Sequence, residues 1–327
     1  MTATLGIESL NDESYLPQLR GLDFRPVFII GPHRSGTTLL YRVLTESGSF
    51  NTTTAYHIVN RNRLLALRAT GQEQAARDRL DQWFAENGLR GKEHNSAPIT
   101  PDLPEEYCFA LEHQGKRIIV DQANLPSFNQ FCRKLQTIQD PTRPLLLKNP
   151  YDTLNFLYLH DHVPNARFIF IFRHPVDVVN SQIRLLRQMI HQKSEYHALM
   201  FHRLRELYDN PVKLALARLV YSEHLPLMIL QTSRYVSRNC DYILNNVEKL
   251  GNSAMGLTYP QLCGDTNNQI RRILNFLELE EKTPCDYSKL IRGREPAVLP
   301  EVESRREWIN KRNEAYCRRF GLAGGSD

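Results

Sequence analysis

The sequence has few cysteines, and they follow no pattern of a metal site or a disulfide framework. The six thiols are scattered along 327 residues, with no C-x-x-C pair and no zinc spacing to histidines. We therefore expect no structural metal. Free thiols in a reducing, cytoplasmic compartment are the better interpretation.

Long hydrophobic runs are also lacking. No window reaches the roughly 18 consecutive apolar residues of a membrane span, and residues 1–23 mix acids with small and apolar side chains. We expect neither a membrane span nor a signal peptide.

A strong charge of either sign is missing too. Lys and Arg number 41 against 36 Asp and Glu, which gives a net charge of +5. This dispersed surplus does not predict a nucleic-acid partner, although it suits an anionic ligand. Hydrophobic residues at 41% and charged residues at 24% are typical of a globular protein with a sizeable core.

Short apolar runs predict buried strands, and helical patterns lie between them. Strands that alternate with helices indicate an α/β class with a central parallel sheet and helices on both faces. The predicted strands are 26–30, 145–147, 167–172 and 254–259, with a further short one at 116–121. The predicted helices include 37–46, 126–138, 151–162, one from Pro175, 269–277 and 305–319, and 104–106 is predicted to be a first helical turn.

The domain organisation follows from the same pattern. Residues 1–23 are predicted to be an N-terminal extension, and 24–327 a single domain with helical insertions at about 60–143 and 190–252. The insertions carry aromatic residues that could line a pocket, although core is the better interpretation for most of them. These residues are Trp83, Phe84, Tyr107, Phe109, Tyr196, Phe201 and Tyr221.

The loop at 31–38, with the sequence GPHRSGTT, stands between a predicted strand and a predicted helix. Successive backbone N–H groups and the positive helix end converge there on an anion. Its glycine spacing is that of a nucleoside-triphosphate loop, but Thr37 stands where that motif has Lys, and the cation is Arg34. The loop therefore favours a smaller anion than a triphosphate.

This segment resembles the phosphosulfate loop of sulfotransferases that use 3′-phosphoadenosine 5′-phosphosulfate (PAPS), in which a strand is followed by [KR]-S-G-T-T. The family's second element, R-x-P with a serine eight residues after the arginine, is matched by Arg173, Pro175 and Ser181. The resemblance covers most of 24–279 and implies a three-layer α/β sandwich of the P-loop-like sulfotransferase fold. It also implies PAPS as co-substrate, no metal, and the 3′-phosphate on Arg173 and Ser181.

Looser matches extend the resemblance to Lys148 in a K-x-P segment, to Tyr259, and to a basic glycine turn at 292–294. The donor-binding residues that the resemblance implies are Pro32, His33, Arg34, Ser35, Gly36, Thr37, Thr38, Arg173, Ser181, Tyr259, Arg292 and Gly293.

The predicted catalytic residues are Lys148, His57 and Glu106. Lys148, at the end of a core strand, would stabilise the sulfuryl oxygens and the leaving phosphate. Many family members carry a glutamate in the segment that begins about twenty residues after the loop, whereas residues 50–57 here offer only His57 as a proton acceptor. Glu105 and Glu106 are the alternative base, or a partner that orients His57.

The predicted reaction is transfer of a sulfuryl group to a hydroxyl on a small or carrier-held acceptor. A kinase that uses ATP and magnesium is an alternative, with Asp121 at the end of 118–121 as the metal ligand. A non-catalytic nucleotide-binding protein is a second alternative. Sugar, lipid-like, polyketide and phenolic acceptors all stay open, and the sequence predicts no oligomeric state.

Overall fold

A five-stranded parallel sheet forms the centre of the computed structural model, which describes residues 10–89, 93–94, 97–111, 118–200, 202–222, 227–291 and 297–322. The strand order is β2-β5-β1-β6-β7, and every neighbouring pair is parallel. The strands are β1 (Pro26–Ile30), β2 (Asn51–Thr52), β3 (Glu93–His94), β4 (Ala97–Pro98), β5 (Leu145–Lys148), β6 (Arg167–Phe172) and β7 (Ala254–Thr258), of which β3 and β4 form a separate antiparallel pair.

The side chains of β1 alternate between two cores, which makes the molecule a three-layer sandwich. Phe28 and Ile30 belong to the larger core, where the Phe28 ring stacks on Phe168 of β6 at a centroid distance of 5.5 Å. Val27 and Ile29 face the smaller core on the other side of the sheet. Because both faces are buried, β1 is apolar throughout and β6 is apolar after Arg167, as the sequence predicts.

Helices cover both faces of the sheet. Helices α1, α13 and α14 contribute to the smaller core, and most others pack on the opposite face. The helices are α1 (Thr37–Glu46), α2 (Ala55–Val59), α3 (Leu64–Ala69), α4 (Glu73–Glu86), α5 (Cys108–Leu111), α6 (Leu125–Ile138), α7 (Phe156–His162), α8 (Pro175–Gln192), α9 (Glu195–Met200), α10 (His202–Asp209), α11 (Pro211–Val220), α12 (Leu227–Asn246), α13 (Tyr259–Gly264), α14 (Thr266–Phe276), α15 (Pro300–Glu303), α16 (Arg306–Arg312) and α17 (Glu314–Arg319). Short 3-10 turns occupy Glu13–Leu19, Pro150–Leu154, Val247–Ser253 and Tyr287–Leu290. Within the described ranges, no helix combines the length and the apolar character that a membrane crossing requires.

The prediction of a first helical turn at 104–106 is wrong. The Ala55 N–H donates to the Leu103 carbonyl at 3.0 Å, and the Glu105 N–H donates to the Thr53 carbonyl at 2.8 Å. These bonds hold the segment extended beside the chain that leaves β2, and α5 begins only at Cys108. An extended segment carries the two neighbouring carboxyls to the carboxyl edge of the sheet.

The structure also differs from the prediction at two short strands and in the C-terminal helix. The two-residue strand β2 has no signal in the sequence, and residues 118–121 of the expected strand at 116–121 are irregular, while 116–117 lie outside the described residues. The tail predicted as one helix is two, because Asn313 ends α16 and precedes α17. Residues before β1 pack on α6, where Lys134 forms a buried ion pair of 2.8 Å with Asp12.

Candidate active site

Functional side chains gather at the carboxyl ends of the parallel strands. The anion loop follows β1, Lys148 ends β5, Arg173 follows β6, and Tyr259 follows β7. Together they line a cavity of about 450 Å³. Because ligands of α/β sheets bind at this edge, the topology itself makes the cavity the candidate site.

The loop between β1 and α1 adopts a backbone that requires glycine. Gly36 has φ +107°, and a Cβ there would lie 2.5 Å from the Tyr259 ring. A Cβ on Gly31 would lie 2.6 Å from the Ser35 hydroxyl oxygen and 2.8 Å from the Ile171 carbonyl. Close approach of other chain segments therefore fixes both glycines, and the loop has no room for larger residues there.

Both predicted anion-binding motifs meet at Arg34. Its Nε donates to the Ser181 hydroxyl at 3.0 Å, and its carbonyl accepts from Arg173 Nη1 at 2.9 Å. Gln182, next along α8, donates to the His33 carbonyl at 2.7 Å. The structure thus joins segments that are far apart in the sequence into one cationic surface.

The two guanidiniums create a positive field at this surface. Burial, followed by the charge of Arg173, lowers the pKa of Arg34, and the Arg173 guanidinium carbon lies 4.3 Å from the centre of the Tyr259 ring. Ser35 Oγ is fully buried and has no hydrogen-bond partner among the described residues. Two like charges held close together fit an anionic ligand, which would relieve their repulsion.

Lys148 connects the loop to the extended segment before α5. Its Nζ donates to Thr38 Oγ1 at 3.1 Å and forms an ion pair of 2.8 Å with Glu106 Oε1. Burial by itself raises the pKa of Glu106, but the Lys148 charge and His33 more than offset it, so the pKa is lowered. Glu106 is therefore a carboxylate at neutral pH.

A buried network after β5 fixes the direction of Lys148. Asn149 Nδ2 donates to the Ile118 carbonyl and to Asp152 Oδ2, both at 2.7 Å, and the Tyr107 hydroxyl donates to the same Asp152 oxygen at 2.6 Å. The Tyr107 N–H also donates to the Lys148 carbonyl at 3.3 Å. These bonds explain why an asparagine follows the lysine.

Comparison with known proteins assigns the chain to a family. The model of the sulfotransferase family matches residues 26–283. The chain belongs to the sulfotransferase family. The solved structure of sulfotransferase STF9 from Mycobacterium avium matches it with a TM-score of 0.65 at 15% identity, over 96% of this chain and 82% of that one. Sulfotransferase STF1 from Mycobacterium tuberculosis H37Rv matches with a TM-score of 0.54 at 15% identity, over 93% and 80%. No curated protein matches the sequence.

This sulfotransferase does not place His57 at the cavity. The ring is 3% exposed at the start of α2, and its Nδ1 accepts from the Thr54 N–H at 3.1 Å. Burial, followed by the charge of Arg77, lowers the pKa of His57 to about 3. The predicted role as base does not fit this geometry, because the ring caps a helix and does not line the site.

Glu105 does line the cavity, and it is 4% exposed. Its Oε1 accepts from the Tyr196 hydroxyl of α9 at 2.5 Å, and its Oε2 accepts from the Glu106 N–H at 3.2 Å. Burial raises the pKa of Glu105 to about 7. The pKa values of the two adjacent carboxyls are therefore shifted in opposite directions, and Glu106 is the one that forms the ion pair with Lys148.

Most of the predicted donor-binding residues lie at the site. The cavity wall includes His33, Arg34, Gly36, Thr37, Thr38, Arg173 and Tyr259. Pro32, Ser35 and Ser181 are not part of this wall, but Ser181 contacts it through its hydrogen bond with Arg34. Arg292 and Gly293 lie outside the described residues. Among the described residues, no group of three or more His, Cys, Asp or Glu could hold a metal ion.

Sequence reasoning missed several residues of the site. Gln182 could have been found from its place beside Ser181, whereas His197 of α9 carries no motif at all. Burial lowers the pKa of His33 and of His197 to about 4 each. Of the aromatic candidates, Phe109 and Tyr196 line the cavity, Phe84 and Tyr107 are core residues, and Phe201 lies outside the described residues.

Proposed function

We propose that this sulfotransferase moves a sulfuryl group from PAPS to a hydroxyl of an acceptor and releases 3′-phosphoadenosine 5′-phosphate (PAP). The observation that carries the proposal is the junction of the two anion motifs, where Arg34 binds Ser181 at 3.0 Å and its carbonyl binds Arg173 at 2.9 Å. A donor with phosphates at both its 5′ and 3′ positions needs two such neighbouring anion sites.

In this proposal the 5′-phosphosulfate lies on the loop, against its backbone N–H groups and the hydroxyls of Thr37 and Thr38. Thr37 is the first residue of α1, so the positive end of that helix faces the same anion. The 3′-phosphate lies on Arg173 and Ser181, with Arg292 and Gly293 as further proposed contacts. A guanidinium at that place can bind a phosphate with two hydrogen bonds.

Glu106 is the proposed base. It is a carboxylate that lines the cavity, and its ion pair with Lys148 places the proton acceptor beside the cation that serves the leaving group. The acceptor oxygen forms a bond to sulfur, the bond from sulfur to the phosphate oxygen breaks, and the acceptor proton passes to Glu106. Lys148 and Thr38 then stabilise the negative charge that grows on the departing phosphate.

A kinase of the P-loop type remains the rival enzyme, and two residues weigh against it. Thr37 stands where the lysine for the β- and γ-phosphates would be. The Asp121 carboxylate accepts from the Ala123 and Asn124 N–H groups at 2.9 and 3.2 Å, so it serves the turn before α6 and does not line the cavity.

Transfer from PAPS labelled in its sulfuryl group, with mass-spectrometric detection over a panel of hydroxyl compounds, tests the proposal. We expect label in an acceptor and equimolar PAP, both without magnesium. Magnesium-dependent transfer of a labelled γ-phosphoryl group from ATP would support the kinase instead. Tight PAP binding with no turnover on the whole panel would support a non-catalytic protein.

A further inference from the structure

The cavity continues beyond the anion loop along one face of α8. Gln182 contacts the loop, and Leu185, Leu186 and Met189 follow at spacings of three, four and seven residues, all on the cavity wall. At about 1.5 Å of rise per residue, Met189 lies roughly 10 Å farther along the helix than Gln182. This face therefore leads from a polar end to an apolar end.

Aromatic side chains from other elements also contribute to the cavity wall. Phe109 of α5, Tyr196 of α9 and Tyr235 of α12 line the same cavity. The Tyr196 ring packs near Phe84 at a centroid distance of 6.1 Å, and its hydroxyl donates to Glu105. Because that hydroxyl is already used, Tyr196 presents mainly its ring to a ligand.

Polar groups of the wall beside Tyr196 are hydrogen-bonded within the protein. Glu105 accepts from Tyr196 and from the Glu106 N–H, and His197 Nδ1 lies 2.6 Å from the Ser194 hydroxyl. A sugar would bring several hydroxyls into these walls, and each buried hydroxyl without a partner costs binding free energy. A hydrocarbon group would bring no such cost.

The cations of the cavity do not come from this face of α8. In the described part of the wall they are Arg34 and Arg42 on the loop and α1, and Lys148 and Arg173 at the strand ends. The face formed by Leu185, Leu186 and Met189 carries no charge. An anionic acceptor would therefore gain little from the apolar end and would compete with the donor for the cationic one.

We propose that the acceptor is an uncharged apolar alcohol, with a hydrocarbon chain or ring between α8, α9 and Phe109 and its hydroxyl at Glu106. This inference rests on the proposed sulfuryl transfer, because the donor has to occupy the loop end. Burial of an apolar chain is favourable in proportion to its area, so longer chains bind more tightly until the space is filled.

A series of linear primary alcohols from butanol to octanol tests the inference, with glucose as the polar comparison. Two quantities are measured on the full chain: calorimetric affinity for the alcohol in the presence of PAP, and kcat/KM for transfer from PAPS. We expect both to rise by about fourfold for each added methylene, as complete burial of a methylene implies, and glucose to be a poor acceptor.

Met189→Gln is the informative variant, and Leu216→Gln is its control. Leu216 lies on α11, is 59% exposed and does not line the cavity. We expect Met189→Gln to flatten the dependence on chain length and lower octanol kcat/KM at least tenfold, with PAP affinity unchanged. We expect Leu216→Gln to behave as the wild type.

The outcomes separate the two proposals. Transfer that is independent of chain length, or as efficient with glucose as with octanol, would overturn the apolar acceptor and leave sulfuryl transfer standing. Chain-length-dependent binding with no transfer from PAPS would support the apolar site and contradict the proposed reaction. Absence of both alcohol binding and transfer would overturn the acceptor assignment.

Discussion

Lys148 Nζ lies 2.8 Å from Glu106 Oε1, and this ion pair joins the last residue of a core strand to a segment 42 residues earlier in the chain. The side chains of Lys148 and Glu106 are only 4% and 12% exposed. A buried pair of this kind depends on both partners, because removal of one leaves an uncompensated charge. The pair brings the proposed base and the proposed leaving-group cation within one hydrogen bond of each other.

The ion pair predicts that Glu106→Gln and Lys148→Ala each lower kcat much more than PAP affinity. Both side chains are proposed to act in the transition state and not in donor binding. Loss of a positioned acid or base typically lowers kcat by about 10²- to 10⁴-fold. Steady-state kinetics together with PAP calorimetry measures both quantities. Glu106→Gln with wild-type kcat would remove Glu106 as the base.

Arg173→Ala should weaken PAP binding by about 2 kcal/mol, roughly 30-fold, the size of a lost charge-assisted contact. Arg167→Ala is the matched control, because Arg167 begins the same strand at its other end. Like Arg173, Arg167 donates to a backbone carbonyl, that of Asn252, and its guanidinium carbon lies 5.2 Å from the centre of an aromatic ring, that of Phe276. Unchanged PAP affinity in Arg173→Ala would contradict the 3′-phosphate assignment.

His57→Ala should leave kcat per folded molecule near that of the wild type and lower the free energy of unfolding. The ring is buried and caps α2 through Thr54, and loss of such a cap costs about 1 kcal/mol. Denaturant unfolding and active-site titration separate the two effects. A large fall in kcat without a fall in stability would restore the base role predicted from the sequence.

The raised pKa of Glu105 predicts a stability that depends on pH. The folded pKa of about 7 lies above the ordinary value of 4.5, so the contribution of Glu105 is fully present below pH 4.5 and is lost as pH rises through 7. Its size is on the order of 3 kcal/mol, at 1.36 kcal/mol per pKa unit. Glu105→Gln, which imitates the neutral carboxyl, should remove this part of the pH dependence.

Unfolding of Glu105→Gln and the wild type at pH 4 and pH 8 measures that difference. At pH 8 the free energy of unfolding of the variant should equal or exceed that of the wild type, or at least differ from it less than at pH 4. Glu280→Gln is a suitable comparison, because Glu280 does not line the cavity and its backbone carbonyl accepts from the Ser49 hydroxyl. Parallel pH curves for the wild type and Glu105→Gln would show that the pKa of Glu105 is not raised in the folded protein.

The sequence by itself determined the sheet and the anion loop. Apolar runs such as Pro26–Ile30 and Arg167–Phe172 are buried on both faces, so their composition alone marks them as strands. Arg34 lies in the loop after β1 and Arg173 directly follows β6. Because parallel strands end at one edge, the meeting of these two residues follows from local pattern and topology. Strand β2, two residues long, carries too little pattern for prediction.

Only the tertiary structure decided which acid or base lies at the cavity. Glu105 and Glu106 have the composition of a helix start after Pro104, but long-range backbone bonds to Thr53 and Ala55 hold their segment extended. A free histidine has a pKa that suits a base, but burial lowers the pKa of His57, and its ring does not line the cavity. Tyr196 and Met189 reach the site from α9 and α8 through packing alone. The charge state of each acid or base, and its access to the cavity, depend on neighbours that are distant in the chain, so the local sequence does not encode them.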